Sequence, residues 1–176
     1  MYLSNHRISL RAPEPEDLEI LFQWENNSQL WMYSETSEPF SRFQIKKYIE
    51  TLDHDVFASK ELRLMIEDIA SHNCVGIVDL YQYDAFHRKA GLGILVGEAY
   101  RRNNYATDAL QLTIDYCFNY LKLHMLYCEI LAVNTESIQV FEHAGFTCSS
   151  WLKDWRSFGK GYCDVFVYQK INSNCE

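Results

Sequence analysis

The 176-residue sequence predicts a single mixed α/β domain, residues 1–176, in which about four helices flank a largely antiparallel, twisted sheet of about seven strands. Three observations lead to this prediction. Short segments in which apolar and polar residues alternate, as in strands, are interspersed with segments of helical periodicity. All three prolines lie within the first 39 residues, so the later elements can be regular and joined by short turns. With 48% hydrophobic and 15% aromatic residues, the chain can bury a sizeable core.

The first part of the chain contains one strand and two helices. Residues 6–12 alternate apolar and polar side chains, which predicts a strand that Pro13 ends. Pro15 suits the first position of a helix, and a helix is predicted from there to about residue 26. A second helix is predicted over residues 41–52, because its apolar residues recur at helical spacing.

Three strands follow, over residues 61–68, 74–83 and 88–96. Turn-forming residues separate the second strand from the third at positions 84–87. This spacing is typical of an antiparallel meander, so each strand is expected to pair with the next one.

The strongest helical periodicity of the chain lies over residues 105–120 and leads to a predicted strand at 126–132. Asn134 or Thr135 then caps a short helix. Gly145 is predicted to end that helix in the left-handed conformation, with Phe146 making the apolar contact that follows such a stop. Two strands at 146–156 and 162–170, joined by a turn at 158–161, complete the chain.

Charge and cysteine content argue against several classes of protein. A net charge of −8 is a poor match to nucleic acid and favours the approach of cations, including small amines. The six cysteines form no CxxC pair, which gives a zinc site no support. The N-terminal residues lack the apolar run of a signal peptide, and no apolar stretch approaches about 20 residues. We therefore expect a cytoplasmic protein without nucleic-acid, metal or membrane partners.

A polar loop after the strand at 88–96 has the character of a phosphate-binding site. It delivers the chain to the N-terminus of the helix at 105–120, where free N–H groups and the helix dipole attract anions. Arg101 and Arg102 add positive charge beside that terminus. An ordinary surface helix with two solvated arginines is the alternative interpretation.

A second segment places polar residues where a strand ends and a helix begins. Asn134 follows the strand at 126–132, and Ser137 lies one turn into the helix. Phe141 lies one turn further along the same helix. The alternative interpretation is an N-capped helix with Phe141 in the hydrophobic core.

Together and in this order, the two segments resemble the signature of the GNAT superfamily of N-acetyltransferases. The first part of that signature, Arg/Gln-x-x-Gly-x-Gly/Ala, holds the pyrophosphate of CoA, and the second reads Asn-x-x-Ser/Ala-x-x-x-Tyr-x-x-x-Gly-Phe. The matching residues are Arg101, Arg102, Asn103, Asn104, Tyr105 and Ala106 in the first part, and Asn134, Ser137, Phe141, Gly145 and Phe146 in the second. The predicted element order matches the GNAT fold from residue 6 to residue 170. The resemblance implies a sheet splayed between the fourth and fifth strands.

Residues 7–27, 75–96 and 157–170 look like the spermidine/spermine N-acetyltransferases, and almost as much like the enzymes that acetylate the N-termini of ribosomal proteins. The resemblance implies transfer of an acetyl group from acetyl-CoA to a primary amine of a polyamine such as spermidine, and a homo-oligomer. N-terminal acetylation of a ribosomal protein or another peptide is an alternative, as is a CoA-binding module with impaired catalysis. The substrate site of the polyamine enzymes implies binding residues at Glu25, Glu35 and Glu38.

The resemblance also implies a mechanism. Backbone groups of Ile94, Leu95 and Val96 would pair with the pantetheine arm, and one N–H among them would hold the thioester oxygen as it becomes an oxyanion. The neutral amine attacks the thioester directly, so no protein nucleophile is required. A base must remove the ammonium proton, and an acid can reprotonate the thiolate.

Three residues depart from the pattern of these relatives. Phe141 stands where a tyrosine usually serves as the acid, and Gly91 stands where polyamine enzymes tend to carry a glutamate. Candidates for the missing base are Asp79, Asp84 and Glu67, all on neighbouring strands. Asn104 replaces a glycine of the pyrophosphate loop, and asparagine is one of the few residues that adopts left-handed backbone at modest cost, so the loop is still expected to form.

Overall fold

The computed structural model describes residues 2–34, 36–52 and 56–173 of the chain. The described strands are β1 (Ile8–Arg11), β2 (Leu62–Asp68), β3 (Cys74–Asp84), β4 (Lys89–Val96), β5 (Met125–Leu131), β6 (Thr147–Phe158) and β7 (Gly161–Ile171). They form one sheet in the order β1-β2-β3-β4-β5-β7-β6. Every neighbouring pair is antiparallel except β4 and β5, which are parallel. The prediction of a largely antiparallel, seven-stranded sheet is confirmed.

The described helices are α1 (Leu18–Glu25), α2 (Ser28–Trp31), α3 (Arg42–Glu50), α4 (Val56–Ser59), α5 (Tyr105–Asp115) and α6 (Thr135–His143). Four of them correspond to the predicted helices. The short helices α2 and α4 were not predicted, because four residues are too few to show helical periodicity. A π-helical turn at Tyr116–Tyr120 extends α5 to the predicted end. No helix within the described ranges is both long and apolar enough to cross a bilayer.

Local signals set the ends of the helices as expected. Pro15 occupies the first turn of the helical segment that leads into α1. Gly145 ends α6 at φ +83°, and its N–H donates to the carbonyl of Glu142 at 2.9 Å. The N–H of Phe146 donates to the carbonyl of Phe141 at 3.0 Å, which completes a Schellman motif. The predicted left-handed stop at Gly145 is confirmed.

Helices cover both faces of the sheet. One face packs against α5 and α6 through buried residues such as Leu92, Leu110 and Phe141. The other face packs against α1 and α3, where Leu21 and Ile45 belong to a second cluster. The central strands are therefore buried on both sides, while the sheet ends at the mostly exposed edge strand β6.

The two parallel strands separate soon after they meet. Pairing between β4 and β5 runs only from Lys89 opposite Met125 to Gly91 opposite Tyr127. Beyond this point, residues 92–96 of β4 remain paired with β3 on their other side, whereas residues 128–131 of β5 pair with β7. The predicted splay between the fourth and fifth strands is confirmed, and it opens a gap in the middle of the sheet.

Candidate active site

A cleft of about 880 Å³ occupies the gap between β4 and β5. Its walls combine the splayed end of β4, the loop before α5, the first turns of α5 and α6, and the side of the sheet that carries α1. Residues predicted to bind the cofactor line it at Ile94, Leu95, Val96, Arg101, Arg102, Asn104, Tyr105, Ala106, Asn134 and Ser137. The structure thus brings ten of the eleven predicted cofactor residues together, and Asn103 is absent from the lining.

Backbone groups of β4 point into the gap. The N–H of Gly97 donates to β3, at the carbonyl of Val75, whereas the carbonyl of Arg88 accepts from Met125 of β5. Because the direction of backbone groups alternates along a strand, those of Ile94 and Val96 point towards β5, which has already diverged. Leu95 was also predicted to offer its backbone to the pantetheine arm. Its N–H and carbonyl instead point towards β3, and its side chain packs beneath α1.

The loop that leads into α5 contains two non-glycine residues in the left-handed conformation. Asn104 has φ +60° and ψ +10°, as expected for the position of the usual glycine, and its side chain makes no capping hydrogen bond. The first N–H groups of α5 are therefore left for a ligand. Arg102 has φ +62°, which sequence reasoning missed. With two arginines beside it, this helix N-terminus is suited to a phosphate group.

Asn103 holds the loop closed. Its side-chain amide donates to the carbonyls of Tyr100 at 3.2 Å and Arg101 at 3.1 Å. Asn103 therefore stabilises the conformation of the loop and does not itself line the cleft.

Arg7, just before β1, anchors the same loop from a distant part of the chain. Its guanidinium donates to the carbonyl of Asn103 and, at 3.0 Å, to the carboxylate of Asp108. It also lies 4.3 Å from the ring centroid of Tyr105. Sequence reasoning missed Arg7, since its partners lie about 100 residues away and no local pattern marks it.

Of the five matched positions in the second signature segment, Asn134 and Ser137 line the cleft. The side chain of Asn134 accepts from the N–H of Ser137 at 3.1 Å and so caps α6 at the edge of the cleft. Phe141 is 3% exposed and packs edge-on against Phe146, with ring centroids 5.1 Å apart. Phe141 does not line the cleft; it belongs to the core between α6 and the sheet.

On the α1 side, two carboxylates of the cleft share one arginine. Asp79 forms a bidentate pair with Arg63 at 2.7 and 2.8 Å, and Glu25 contacts another nitrogen of Arg63 at 2.5 Å. Burial acts to lower the pKa of Arg63, but the two carboxylates raise it well above its ordinary value. Glu25 and Asp79 therefore both line the cleft, and both are paired with Arg63, which was not predicted as a site residue.

The remaining predicted acidic residues lie elsewhere. Asp84 lies at the turn between β3 and β4, outside the cleft, where the backbone N–H of His87 lowers the pKa of its carboxyl. Glu67 contacts Arg11, which lowers the pKa of Glu67 and ties it to β1. Glu38 is exposed and outside the cleft lining, and Glu35 lies outside the described residues. The structure does not bring Asp84, Glu67 or Glu38 together with the other site residues.

Residues that sequence reasoning missed complete the α1 side of the cleft. Tyr81 of β3 covers Gly91, and Glu129 of β5 contacts Arg156 of β6 at 3.4 Å. Tyr81, Gly91 and Glu129 lie next to the point where β4 and β5 part, and the side chain of Arg156 reaches Glu129 from β6. Within the described part of the chain, no three His, Cys, Asp or Glu side chains are grouped so as to hold a metal ion.

Comparison with known proteins places these features in a family. Residues 7–147 match the model of the acetyltransferase (GNAT) domain. The spermidine N(1)-acetyltransferase of Vibrio cholerae is 28% identical over 161 residues, which cover 92% of this chain and 91% of the relative. That of Escherichia coli strain K12 is 29% identical over 149 residues, which cover 85% of this chain and 77% of the relative.

Solved structures agree with the sequence comparison. The crystal structure of the Vibrio cholerae spermidine N-acetyltransferase in complex with CoA and spermine has a TM-score of 0.85 and 26% identity, covering 96% of this chain and 98% of the other. A dodecameric structure of that enzyme has a TM-score of 0.80 and 25% identity, covering 96% of both chains.

Proposed function

The chain belongs to the GNAT family of acetyltransferases, which use acetyl-CoA as acetyl donor, and we propose that it acetylates a primary amine of a polyamine such as spermidine. One observation carries the choice of acceptor: the two ends of the cleft differ in the sign of their excess charge. Arg101 and Arg102 lie at the N-terminus of α5, whereas on the side of α1 four carboxylates (Glu25, Glu61, Asp79 and Glu129) outnumber two arginines (Arg63 and Arg156). An anionic donor and a cationic acceptor thus have separate ends of one cleft.

The donor end matches the parts of CoA in order. The N-terminus of α5 and the two arginines suit the pyrophosphate, because aimed N–H groups and positive charge both attract it. The backbone groups of Ile94 and the N–H of Val96 point into the gap and suit the amides of the pantetheine arm, which would add to β4 like a further strand. The carbonyl of Val96 accepts a hydrogen bond from Nε of Arg101 at 3.3 Å.

The proposed reaction requires no covalent bond between the protein and either substrate. The neutral amine attacks the thioester carbon, and a backbone N–H of the splayed part of β4 stabilises the oxyanion. Collapse of the intermediate breaks the C–S bond, and the thiolate of CoA takes up the proton that the attacking nitrogen loses. Positioning of the two substrates accounts for much of the acceleration.

A second cavity of about 530 Å³ continues the cleft beneath α1 and α3. Leu21, Phe40 and Tyr48 give it apolar walls, while Glu25 and Glu61 provide carboxylates. A polyamine carries ammonium groups separated by methylene segments, so this alternation of apolar and acidic surface suits it. The relative from Vibrio cholerae that was solved with CoA and spermine supports the same choice.

The test is release of free thiol from acetyl-CoA with spermidine, spermine, lysine or a short peptide as acceptor, together with melting curves with and without acetyl-CoA. We expect spermidine or spermine to exceed the peptide in kcat/KM by at least about 100-fold, since two or more ion pairs distinguish them. Faster turnover of the peptide would instead favour N-terminal acetylation. Protection by acetyl-CoA without turnover of any acceptor would favour a binding module.

We also propose that the enzyme self-associates through β6. This edge strand exposes Trp151 by 63% and Trp155 by 57%, and exposed apolar surface on an unpaired edge is typical of an interface. The Vibrio cholerae enzyme described as dodecameric supports assembly in this family. Light scattering after size exclusion should show an oligomer that Trp151→Glu with Trp155→Glu dissociates. Phe86→Glu, at an even more exposed aromatic on the turn after β3, should leave the mass unchanged.

A further inference from the structure

We propose that Glu129 is the general base of this enzyme, accepting the proton of the incoming ammonium group, and that Arg156 positions its carboxylate. This inference rests on the proposed function and supplies the base that Gly91 cannot provide.

The space over Gly93 lies at the fork of the two strands. Gly91 and Tyr127 are the last paired residues, so Gly93 and Glu129 each lie two residues further along their diverging strands. Side chains two residues apart point to the same face, and therefore Glu129 borders Gly93 on the α1 side of the sheet. On its other side, Gly93 is paired with Asp79.

That space is open. A β-carbon added at Gly93 would have its nearest neighbours, which belong to Asp79 and Tyr81, 4.0 Å away. The two carboxylates of Asp79 and Glu129 thus flank a gap that no side chain of β4 fills. An ammonium group entering the fork from the α1 side would lie between them.

Competing carboxylates of the cleft are already engaged, too remote or, in the case of Glu136, carried by α6 on the face of the sheet opposite α1. Both oxygens of Asp79 pair with Arg63, at 2.7 and 2.8 Å, so protonation of Asp79 would break a bidentate ion pair. Glu25 is held by the same arginine. Glu61 precedes β2, two strands from β4, which places its backbone roughly 10 Å from the fork at the usual strand spacing.

Glu129 is held more loosely. Its contact with Nη2 of Arg156 is 3.4 Å long, and its side chain is 33% exposed, so it can pass an accepted proton to water. Charged and titratable groups that face this space are Glu25 from α1, Arg63 from β2, Asp79 and Tyr81 from β3, Tyr127 from β5 and Arg156 from β6.

The proton path balances with acetyl-CoA and the amine alone. Glu129 takes one proton from the ammonium nitrogen, and the lone pair so freed forms the C–N bond. Breakage of the C–S bond leaves the thiolate, which takes a second proton from the same nitrogen. Glu129 then returns its proton to solvent, so that one proton is released for each amide formed.

The experiment compares Glu129→Gln with the wild type for thiol release across pH 6–10. At neutral pH we expect kcat to fall by about 10²–10⁴-fold, while acetyl-CoA binding and the melting temperature stay unchanged. The deficit should shrink as the pH approaches the amine pKa, about 10 for a lysine-like amine, because a neutral amine needs no base. Glu129→Asp should retain part of the activity. Glu16→Gln, at an exposed glutamate outside the cleft, is the matched control.

A second variant tests the role of Arg156 and does not depend on losing the carboxylate. Arg156→Met should lower kcat while leaving the KM for acetyl-CoA unchanged, because the Glu129 carboxylate loses the contact that positions it, and Arg156→Lys should retain part of the activity. Turnover by Glu129→Gln within about threefold of the wild type, or a deficit that stays constant with pH, would overturn the inference and leave the proposed function intact. A wild type that turns over no amine would instead overturn the proposed function.

Discussion

The ring of Tyr81 lies directly over Gly91, its cross-strand partner on β4. A β-carbon built on Gly91 would lie 2.1 Å from Cε2, 2.4 Å from Cζ and 2.5 Å from Cδ2 of that ring. The ring also packs edge-on against Tyr127, with centroids 5.9 Å apart. Burial raises the pKa of the Tyr81 hydroxyl above its ordinary value, so Tyr81 is neutral at physiological pH. A tyrosine on β3 therefore occupies the place that a side chain on β4 would take.

This relationship predicts strong coupling between the two positions. Gly91→Ala should lower the free energy of unfolding by about 1–3 kcal/mol, because overpacking displaces the ring. In a Tyr81→Ala background the same change should cost almost nothing, which a double-mutant cycle in urea measures directly. Gly93→Ala, where the nearest atoms are 4.0 Å away, is the control for stability. Additive effects of the two changes would refute the coupling.

Asn104 should tolerate glycine and resist alanine. Its φ of +60° suits glycine, whereas a residue such as alanine pays about 1–2 kcal/mol to adopt left-handed backbone. We expect Asn104→Ala to lose about 1 kcal/mol of stability and to bind acetyl-CoA more weakly, as the loop before α5 rearranges. Asn104→Gly should retain both. Urea unfolding and calorimetric titration measure the two effects.

The control for this loop is Asn119→Ala, since Asn119 is exposed and has ordinary helical backbone in the π turn after α5. If Asn104→Ala matches that control in stability and binding, the left-handed conformation has no energetic role.

Phe141→Tyr should not restore an acid. The ring of Phe141 is 3% exposed and packs against Phe146 in the core, so an added hydroxyl is buried rather than presented to the cleft. We expect a loss of about 1–3 kcal/mol of stability, the cost of a poorly paired buried hydroxyl, with no gain in kcat. Thiol release and urea unfolding test both parts. A tenfold rise in kcat at unchanged stability would show instead that residue 141 reaches the thioester.

Glu67 should contribute to stability in a pH-dependent manner. Its hydrogen bond with Arg11, and secondarily its contact with His72, lower its pKa below the value in the unfolded chain, about 4.3. A carboxylate whose pKa is lower in the folded than in the unfolded chain stabilises the fold at pH values above the unfolded pKa. That contribution is lost as the pH falls through the folded pKa. The free energy of unfolding should therefore fall less steeply below about pH 5 in Glu67→Gln than in the wild type.

Urea unfolding at a series of pH values from neutral to about 3 measures this slope. Glu16→Gln, at an exposed position in the turn before α1, should leave the wild-type slope in place. Equal slopes in Glu67→Gln and the wild type would mean that the pair with Arg11 does not discriminate between the folded and unfolded states.

The fold could be predicted in large part because its signals are local. Pro15 opens a helix, Asn134 caps one and Gly145 stops one through backbone conformation and hydrogen bonds that span at most a few residues. Alternation along each strand likewise lies within the strand itself. Helices α2 and α4 were not predicted, because a helix of one turn is too short to show the helical spacing of apolar residues.

The loop and the helix N-terminus proposed to bind the cofactor could also be located from the sequence, since both are local features and together suit a phosphate group. The acceptor side could not. Arg63 pairs with Asp79, 16 residues away, and Glu25, 38 residues away, and these partners meet only when α1 packs on the sheet. Glu129 reaches the fork because β5 diverges from β4, and Phe141 is buried because α6 turns that face inward. The sequence by itself determined the elements, their ends and the donor loop, because short-range backbone preferences decide them. Only the tertiary structure decided which charges meet in the cleft, because ion pairs between distant residues depend on packing that no local pattern encodes.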